Sequence, residues 1–216
     1  MIAKSSEFVD VSRYKCILCL DGKLPDVGFF ARCRLPIIAA DGAANRLHSL
    51  GVSPDIVIGD CDSIEPGLLS QVRHLRITDQ STSDFQKTLR YIEGQELCPA
   101  IICGISGGYL DHILNNVRIF LEGNCGNIFI DDDVIGFCLH SHHEFCFLVN
   151  TKLSFFGMPG SVMLTQGLKW ELTGERLLPV GYAFNRTASP RVTLDVSGAR
   201  VLMIAYKNSI TDAGAS

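Results

Sequence analysis

The chain has 216 residues, of which 47% are hydrophobic and 19% are charged, and its formal net charge is −4. This composition is typical of a globular protein with a sizeable core and excludes an intrinsically disordered chain. A slightly acidic chain lacks the basic surface that nucleic acid requires, and no apolar run is long enough to span a bilayer. Residues 1–13 lack the apolar core of a signal peptide. We therefore expect a cytoplasmic protein with no nucleic-acid or membrane partner.

The nine cysteines predict reduced thiols rather than disulfides or a zinc site. Their number is odd, and the one Cys-x-x-Cys pair, Cys16 and Cys19, lies in an apolar run that is typical of a strand. Residues three apart on a strand point to opposite faces, and no second pair of ligands is spaced for zinc. We expect these thiols to be buried in the core, as free cysteines usually are.

Residues 15–131 alternate short apolar stretches with helical patterns. We predict strands at 15–20, 36–40, 55–58, 75–77, 100–103 and 128–130, and helices at 43–50, 66–71, 84–92 and 110–121. Ser83 and Gln86 have the spacing of a capping box at the start of the third of these helices. The alternation predicts an α/β fold, with a parallel sheet that carries helices on both faces.

The pattern changes after Asp133, where no helical period is present. Short apolar stretches are separated by turn residues at 134–139, 144–149, 152–156, 161–165, 168–172, 192–196 and 200–206. This spacing predicts a small all-β sandwich or barrel. We therefore expect an α/β domain over residues 1–133 and a β-sandwich domain over residues 134–216. The segment His140–His143 is expected to form a solvated hairpin rather than a metal site, and Asp131–Asp133 a solvated hinge.

Acidic residues collect at the ends of the predicted parallel strands. Five of them come just after a strand, namely Asp41, Asp60, Asp62, Asp79 and Asp84. Because the carboxyl ends of parallel strands meet at one edge of a sheet, these acids and the glycine-rich loop at 104–108 should share one crevice. Crowded carboxylates repel each other, and a divalent cation relieves that repulsion. The pattern favours a Mg²⁺–phosphate site, although Asp, Gly and Ser are also ordinary residues of a solvated turn.

Five motifs in this order resemble the thiamine pyrophosphokinase family. They are the segments Asp41–Leu47, Pro54–Ile64, Asp79–Lys87, Gly107–Asn116 and Gly167–Leu172. The resemblance implies an enzyme with an α/β domain and a β-sandwich domain that acts as a homodimer. It also implies transfer of a pyrophosphoryl group from ATP to the hydroxyl of thiamine, with release of AMP.

The same resemblance implies roles for individual residues. Asp60, Asp62 and Asp84 are similar to the catalytic Mg²⁺ cluster of the family, with Asp41 close by. The other residues that resemble catalytic or binding positions are Gln80 near the reacting group, Ser83 and Lys87 at the triphosphate, and Gly107, Gly108 and Asp111 in the nucleotide pocket. Trp170 and Asn185 are similar to residues that hold thiamine from the β domain of the partner subunit.

Four positions depart from the family pattern. Ser81 replaces an Asp, Ser83 replaces a Thr, Tyr109 replaces an Arg, and Phe184 replaces a Ser. The change at Tyr109 removes a cation from the expected nucleotide contacts, and the change at Phe184 alters the expected thiamine contacts. Two alternatives therefore stay open: a Mg²⁺-dependent phosphohydrolase that uses the same acids, and a non-catalytic sensor of thiamine or nucleotide.

Overall fold

The computed structural model describes residues 9–123, 126–176 and 182–207. The chain divides into two compact units, with the division between Asp132 and Asp133. The first unit comprises Val11–Asp132, and the second comprises the described residues from Asp133 onward together with those before Val11.

The first unit contains a parallel sheet. Its strands are β1 (Cys16–Cys19), β2 (Ile37–Ala40), β3 (Ile56–Gly59), β4 (His74–Arg76), β5 (Ala100–Cys103) and β6 (Ile128–Ile130). Hydrogen bonding places them in the order β6-β5-β1-β2-β3-β4, and every pairing is parallel. All residues of β1, β2, β3, β5 and β6 are buried, as expected for a parallel sheet that is covered on both faces.

The helices of this unit are α1 (Val27–Cys33), α2 (Ala43–Ser49), α3 (Pro66–Leu69), α4 (Asp84–Gly94) and α5 (Leu110–Glu122). The capping box predicted for α4 is confirmed, because Ser83 Oγ accepts the Gln86 N–H and Gln86 Oε1 accepts the Ser83 N–H. Helix α1 was not predicted, although the Asp26 side chain caps it by accepting the Phe29 N–H at 2.9 Å. In the described part of the chain, no helix has the length and apolar character needed to cross a membrane.

The order in which successive strands join the sheet reverses at β1. Strands β2 to β4 follow on one side of β1, and β5 and β6 follow on the other. The loops that follow β1 and β5 pack backbone against backbone: the Lys23 N–H donates to the Ser106 carbonyl at 2.7 Å. Gly107 has a φ of +86°, and a Cβ there would lie 2.7 Å from the Lys23 Cβ. Open α/β sheets bind ligands at such a switch point, so this topology positions the site described below.

Residues Asp131 and Asp132 lie next to the division between the two units, where Asp132 is exposed, and they also contact the loops of this edge. The Ser106 hydroxyl donates to the Asp131 carboxylate, and Lys23 Nζ lies 2.7 Å from Asp132 Oδ2. Both acids therefore attach the end of β6 to the loops that follow β1 and β5.

The second unit is antiparallel throughout its described part. Its strands are β7 (Val134–Cys146), β8 (Lys152–Gly157), β9 (Val162–Gln166), β10 (Thr173–Arg176), β11 (Tyr182–Arg186) and β12 (Arg191–Tyr206). Strand β12 pairs with β7 along its length, with β9 through its first half and with β8 through its second half. Strands β10 and β11 extend the two halves by pairing with β9 and β8. Two sheets thus share β7 and β12, and the predicted α/β plus all-β fold class is confirmed.

The core of this unit is apolar and lies between the two sheets. It includes Leu139, Leu153, Phe155, Met163, Val192, Leu194, Val201 and Met203. The sheets separate where β12 is irregular, between Val196 and Val201. Gly198 lies in that interval with a φ of +75°, and a Cβ there would lie 2.2 Å from the Gly160 carbonyl oxygen.

Two sequence predictions for this unit are wrong. Residues His140–His143 lie inside β7 instead of forming a hairpin, and His142 pairs with Asp195 of β12. Ser141 has a φ of +61°, a local irregularity that interrupts the alternation without ending the strand. Residues 168–172 form a loop rather than a strand, in which Leu168 makes an isolated bridge to Thr187.

Candidate active site

A cavity of about 350 Å³ opens at the carboxyl edge of the parallel sheet. The loops after β1, β2, β3 and β5 line it, together with the first turns of α4 and α5. Lining residues with polar side chains include Asp21, Asp41, Ser63, Ser83, Asp84 and Asn116. We call this cavity, together with the neighbouring Asp60 and Asp62, the acidic crevice. Four of the five predicted acids and the glycine-rich loop thus meet at this edge, whereas Asp79 is not among the residues that line the cavity.

Three carboxylates of the acidic crevice lie close enough together to share a cation. Asp41, Asp60 and Asp62 each present an oxygen, and these atoms lie within 4.8 Å of one another. Asp41 is buried, and among the described residues its Oδ1 has no hydrogen-bond partner. Buried polar atoms are normally paired, so this oxygen indicates that a donor or cation completes the site. The three acids provide the oxygen ligands that Mg²⁺ prefers.

The backbone places Asp41 where it can reach the other two acids. Its N–H continues the sheet by donating to the Ile58 carbonyl at 2.9 Å, and its φ is +39°, which is rare for a residue with a side chain. Gly59 makes room for it, because a Cβ at Gly59 would lie 2.8 Å from the Asp41 Cβ. Cys61, between the other two acids, also has a positive φ of 63°. Backbone strain of this kind concentrates at functional sites.

Asn45 of α2 holds the loop that carries Asp62. Its Oδ1 accepts the Glu65 N–H at 3.0 Å, and its Nδ2 donates to the Ser63 carbonyl at 2.7 Å. A single amide therefore satisfies two backbone groups of an exposed loop. These two hydrogen bonds give Asn45 a structural role: it fixes the backbone of the loop that follows Asp60 and Asp62.

Asp60 is oriented by Gln80. Gln80 Nε2 donates to Asp60 Oδ2 at 2.6 Å, and this hydrogen bond is the main reason why the pKa of Asp60 is lowered. Arg76 Nε donates to the Asp60 backbone carbonyl at 3.0 Å. The amide of Gln80 therefore stabilises the ionised form of Asp60 and restrains its rotation.

The buried Asp41 experiences the opposite effect. Burial raises its pKa, the Ser63 side chain opposes this shift, and the negative charges of Asp84, Asp60 and Asp62 raise the pKa further. An acid surrounded by acids in a desolvated position is unfavourable in its ionised form. The electrostatics of the crevice thus favour the entry of positive charge.

Asp84 lies outside the group of three carboxylates and is paired with Lys87. Lys87 Nζ lies 2.9 Å from Asp84 Oδ1, and the Lys87 side chain is only 4% exposed. Burial lowers the pKa of Lys87, but the hydrogen bond with Asp84 and the charges of Asp84, Asp60 and Asp79 outweigh this effect and raise it. Lys87 is therefore a fixed positive charge beside the acids, while a metal-ligand role for Asp84 stays a prediction.

The remaining residues predicted for the nucleotide pocket occupy different positions. Ser83 and Gly108 line the cavity, and a Cβ at Gly108 would meet nothing within 4 Å. Gly107 and Asp111 are not among its lining residues. Gly107 instead packs on Lys23, as described above. Contacts of these residues with a nucleotide stay predictions.

Two of the departures from the family pattern have local contacts. Ser81 donates to Asp79 through both its N–H and its hydroxyl, each at 2.8 Å, and these bonds lower the pKa of Asp79. Tyr109 is 79% exposed, and its ring meets the edge of the His112 ring at a centroid distance of 5.9 Å. His112 lines the cavity, whereas Tyr109 is not among the lining residues, so Tyr109 lies beside the cavity.

Sequence reasoning missed the contribution of the first strand. Asp21 and Gly22 line the cavity, and Asp21 Oδ1 lies 2.5 Å from Arg46 Nε. The indication was present, because Asp21 follows β1 in the same way that Asp41 follows β2. The asparagines Asn115 and Asn116 also line the cavity from the second turn of α5.

In the second unit, Trp170 and Asn185 are in direct contact. The Trp170 side chain is exposed in the loop 167–172, whereas Asn185 on β11 is buried. Asn185 Nδ2 donates to the Trp170 carbonyl at 2.7 Å, and Asn185 Oδ1 accepts the Trp170 N–H at 3.3 Å. Lys169 Nζ lies 4.8 Å from the centroid of the Trp170 ring. Phe184, beside Asn185, is 58% exposed with a φ of +61°.

The fold and the site together define a class of protein: a parallel α/β unit with an acidic crevice at its switch point, followed by an antiparallel β unit. Comparison with known proteins narrows this class. Residues 31–130 match the family model described as thiamin pyrophosphokinase, catalytic domain. Over 200 residues the chain is 26% identical to thiamine pyrophosphokinase 1 of Oryza sativa subsp. japonica, an alignment that covers 76% of this chain and 75% of that protein.

Solved structures agree with this assignment at the level of the fold. The thiamine pyrophosphokinase of Bacillus subtilis superposes with a TM-score of 0.71 at 20% identity, covering 90% of this chain and all of that chain. The yeast thiamin pyrophosphokinase gives a TM-score of 0.76 at 15% identity, covering 92% of this chain and 88% of that one. The resemblance found in the five motifs is confirmed, because the family model matches residues 31–130 and thiamine pyrophosphokinases are among the similar proteins and structures.

Proposed function

We propose that the protein is a Mg²⁺-dependent thiamine pyrophosphokinase that transfers the pyrophosphoryl group of ATP to thiamine and releases AMP. The similarity to thiamine pyrophosphokinases supports the reaction. The observation that carries the site is the group of three carboxylates with the unpartnered Oδ1 of the buried Asp41. Within this proposal the first unit binds ATP, and the second unit binds thiamine.

Pyrophosphoryl transfer requires positioned reactants and neutralised charge more than covalent help from the protein. Asp60 and Asp62 would hold Mg²⁺ with Asp41 or Asp84, and the bound cation would neutralise phosphate oxygens. Gln80 keeps Asp60 ionised and oriented. Lys87 supplies a fixed positive charge for the triphosphate, and a neighbouring carboxylate accepts the proton of the thiamine hydroxyl.

Trp170 is the proposed binding surface for thiamine. Thiamine is a flat cation, and a cation over an indole face gains roughly 0.5–2 kcal/mol. More than half of the Trp170 side chain is exposed, at 55%, and the Lys169 ammonium already lies 4.8 Å from its ring centroid. The exposure supports ring surface that is available to a ligand, and the Lys169 contact shows that the ring accepts a cation on one face.

We also propose a homodimer in which the β unit of one subunit completes the crevice of the other. Large apolar side chains are exposed on both units: Tyr109, Leu110 and Leu114 at 79, 70 and 62%, and Trp170 and Phe184 at 55 and 58%. Exposed apolar patches mark interaction surfaces. Light scattering would measure the mass of the protein in solution and so distinguish a dimer from a monomer.

Mixing Asp60→Asn with Trp170→Ala tests the shared site, at a thiamine concentration low enough that Trp170→Ala alone turns over little thiamine. If each site uses both subunits, random exchange restores about a quarter of the wild-type sites, since half of the dimers are mixed and carry one intact site each. If every site lies within one subunit, mixing restores nothing.

The function is tested by incubating the protein with thiamine, Mg²⁺ and each nucleoside triphosphate in turn. We expect AMP-type products that form only when thiamine is present. Phosphate release without thiamine would favour a phosphohydrolase, and binding without turnover for every donor would favour a sensor. A cytoplasmic location also stays a prediction, which cell fractionation would test.

A further inference from the structure

We propose that Glu171 and Asn185 are positioning residues that hold the Trp170 ring ready for thiamine, and that neither contacts the substrate. The inference rests on the proposed function and concerns the Trp170 loop, which we define as residues 167–172. It assigns a role to Glu171, for which the sequence predicts none, and it changes the role of Asn185 that the family resemblance implies.

Asn185 has its polar atoms engaged with backbone. Its side chain is 4% exposed, and its Nδ2 and Oδ1 bind the carbonyl and the N–H of Trp170. The same Oδ1 accepts the Arg186 N–H at 2.8 Å. The Asn185 amide therefore stabilises the backbone of the loop. If the amide turned toward a ligand, these backbone groups would lose their hydrogen bonds.

Glu171 fastens the two ends of the loop to each other. Its Oε1 accepts the N–H groups of Gly167 and Leu168 at 2.7 and 2.9 Å, and its Oε2 accepts the Thr165 hydroxyl at 2.6 Å. Thr165 Oγ1 in turn accepts the Leu172 N–H at 2.8 Å. One carboxylate therefore connects the start of the loop to its end.

Trp170 depends on these bonds because more than half of its own surface is exposed, at 55%. Gly167 provides the rigid starting point of the loop: its φ is +94°, and a Cβ there would lie 2.4 Å from the Arg191 carbonyl oxygen. A ring that is already oriented binds its ligand without a further cost of ordering. Loss of either Glu171 or Asn185 should therefore weaken thiamine binding in the same way.

The chain contains one tryptophan, so intrinsic indole fluorescence reports on Trp170 alone. We would compare Asn185→Leu and Glu171→Ala with Ser161→Ala, a matched control that removes another buried hydrogen bond of this unit, from Ser161 Oγ to the Met158 carbonyl. Without thiamine, both loop variants should show lower fluorescence anisotropy and stronger acrylamide quenching than the wild type and the control.

In turnover, both loop variants should raise the KM for thiamine about tenfold, with the KM for ATP and kcat changed less than twofold. Glu171→Gln keeps an acceptor for the loop N–H groups and should stay within about threefold of the wild type. The two loop variants should behave alike even though their side chains occupy different positions.

A rise in the KM for thiamine in Asn185→Leu, with unchanged Trp170 anisotropy and no effect of Glu171→Ala, would overturn the proposal and assign Asn185 to direct contact. Failure of the proposed function looks different: the wild type would neither turn over thiamine nor change its Trp170 fluorescence when thiamine is added. The anisotropy and quenching of the thiamine-free variants would still decide the positioning role.

Discussion

The acidic crevice and the Trp170 loop differ in whether their buried polar side chains have hydrogen-bond partners. In the crevice, the buried Asp41 has an unpartnered Oδ1, and burial, followed by the charges of the neighbouring acids, raises its pKa. In the loop, the buried Asn185 is hydrogen-bonded at both its donor and its acceptor. An unsatisfied buried group indicates where a ligand completes the structure, whereas a satisfied one indicates support for a neighbour. The comparison separates groups that act on the substrate from groups that act through another residue.

The largest effect should follow from removing a charge of the crevice. Asp60→Asn or Asp62→Asn should lower thiamine-dependent AMP formation by at least about 100-fold, because the cation loses a carboxylate ligand. Circular dichroism and melting should stay close to those of the wild type.

The matched control is Asp26→Asn, an equal change of charge at the cap of α1, where an amide also caps well. It should retain activity. Full activity in both Asp60→Asn and Asp62→Asn would remove the metal assignment.

A smaller but substantial effect should follow from filling the space beside Asp41. Gly59→Ala would place a Cβ 2.8 Å from the Asp41 Cβ, so Asp41 must move or β3 must shift. We expect roughly tenfold lower activity and about 1–3 kcal/mol lower free energy of unfolding.

Gly67→Ala in α3 is the control, because a Cβ at Gly67 meets nothing within 4 Å. Its activity should equal that of the wild type. Equal activity in the two variants would show that Asp41 does not need its present position.

The electrostatic strain of the crevice should be visible in stability without metal. Asp41→Asn removes a buried charge from among other acids, so in chelator the variant should be more stable than the wild type by roughly 1 kcal/mol. Added Mg²⁺ should raise the Tm of the wild type and have less effect on the variant, since only the wild type offers all three carboxylates. A wild type that is the more stable of the two in chelator would contradict the account.

The smallest effect concerns an exposed charged pair outside both regions. His142 Nδ1 lies 2.7 Å from Asp195 Oδ1, and this hydrogen bond raises the pKa of His142 above its ordinary value. The pair should stabilise the fold below the pKa of the unfolded chain, and this stabilisation should disappear as the pH rises through the higher pKa of the folded state. An NMR titration of His142 should show a lower pKa in Asp195→Asn, and an unchanged pKa would exclude the pair as its cause.

The crevice could be predicted because it follows from strand order. Asp41 and Asp60 each follow an apolar, β-branched stretch, and parallel pairing brings such positions to one edge without further information. The same rule applied to Asp21 would have found the contribution of β1. The distinction between Asp41 and Asp84 was not predictable, because it depends on the contact of Lys87 with Asp84.

The Trp170 loop could not be predicted beyond its motif. The segment 168–172 has the apolar content of a strand, and its loop conformation depends on the carboxylate of Glu171 and on the positive φ of Gly167. Such bonds between side chain and backbone depend on conformation and leave no periodic pattern. The segment His140–His143 was misassigned for the related reason that one irregular residue, Ser141, resembles a turn.

The most direct test of the central claim is the identity of the group that moves. Phosphorus NMR of the wild type with ATP, Mg²⁺ and thiamine should show AMP and a thiamine diphosphate ester appearing in equal amounts, with neither formed by Asp60→Asn. Formation of ADP with thiamine monophosphate, or of free phosphate at the same rate without thiamine, would contradict pyrophosphoryl transfer.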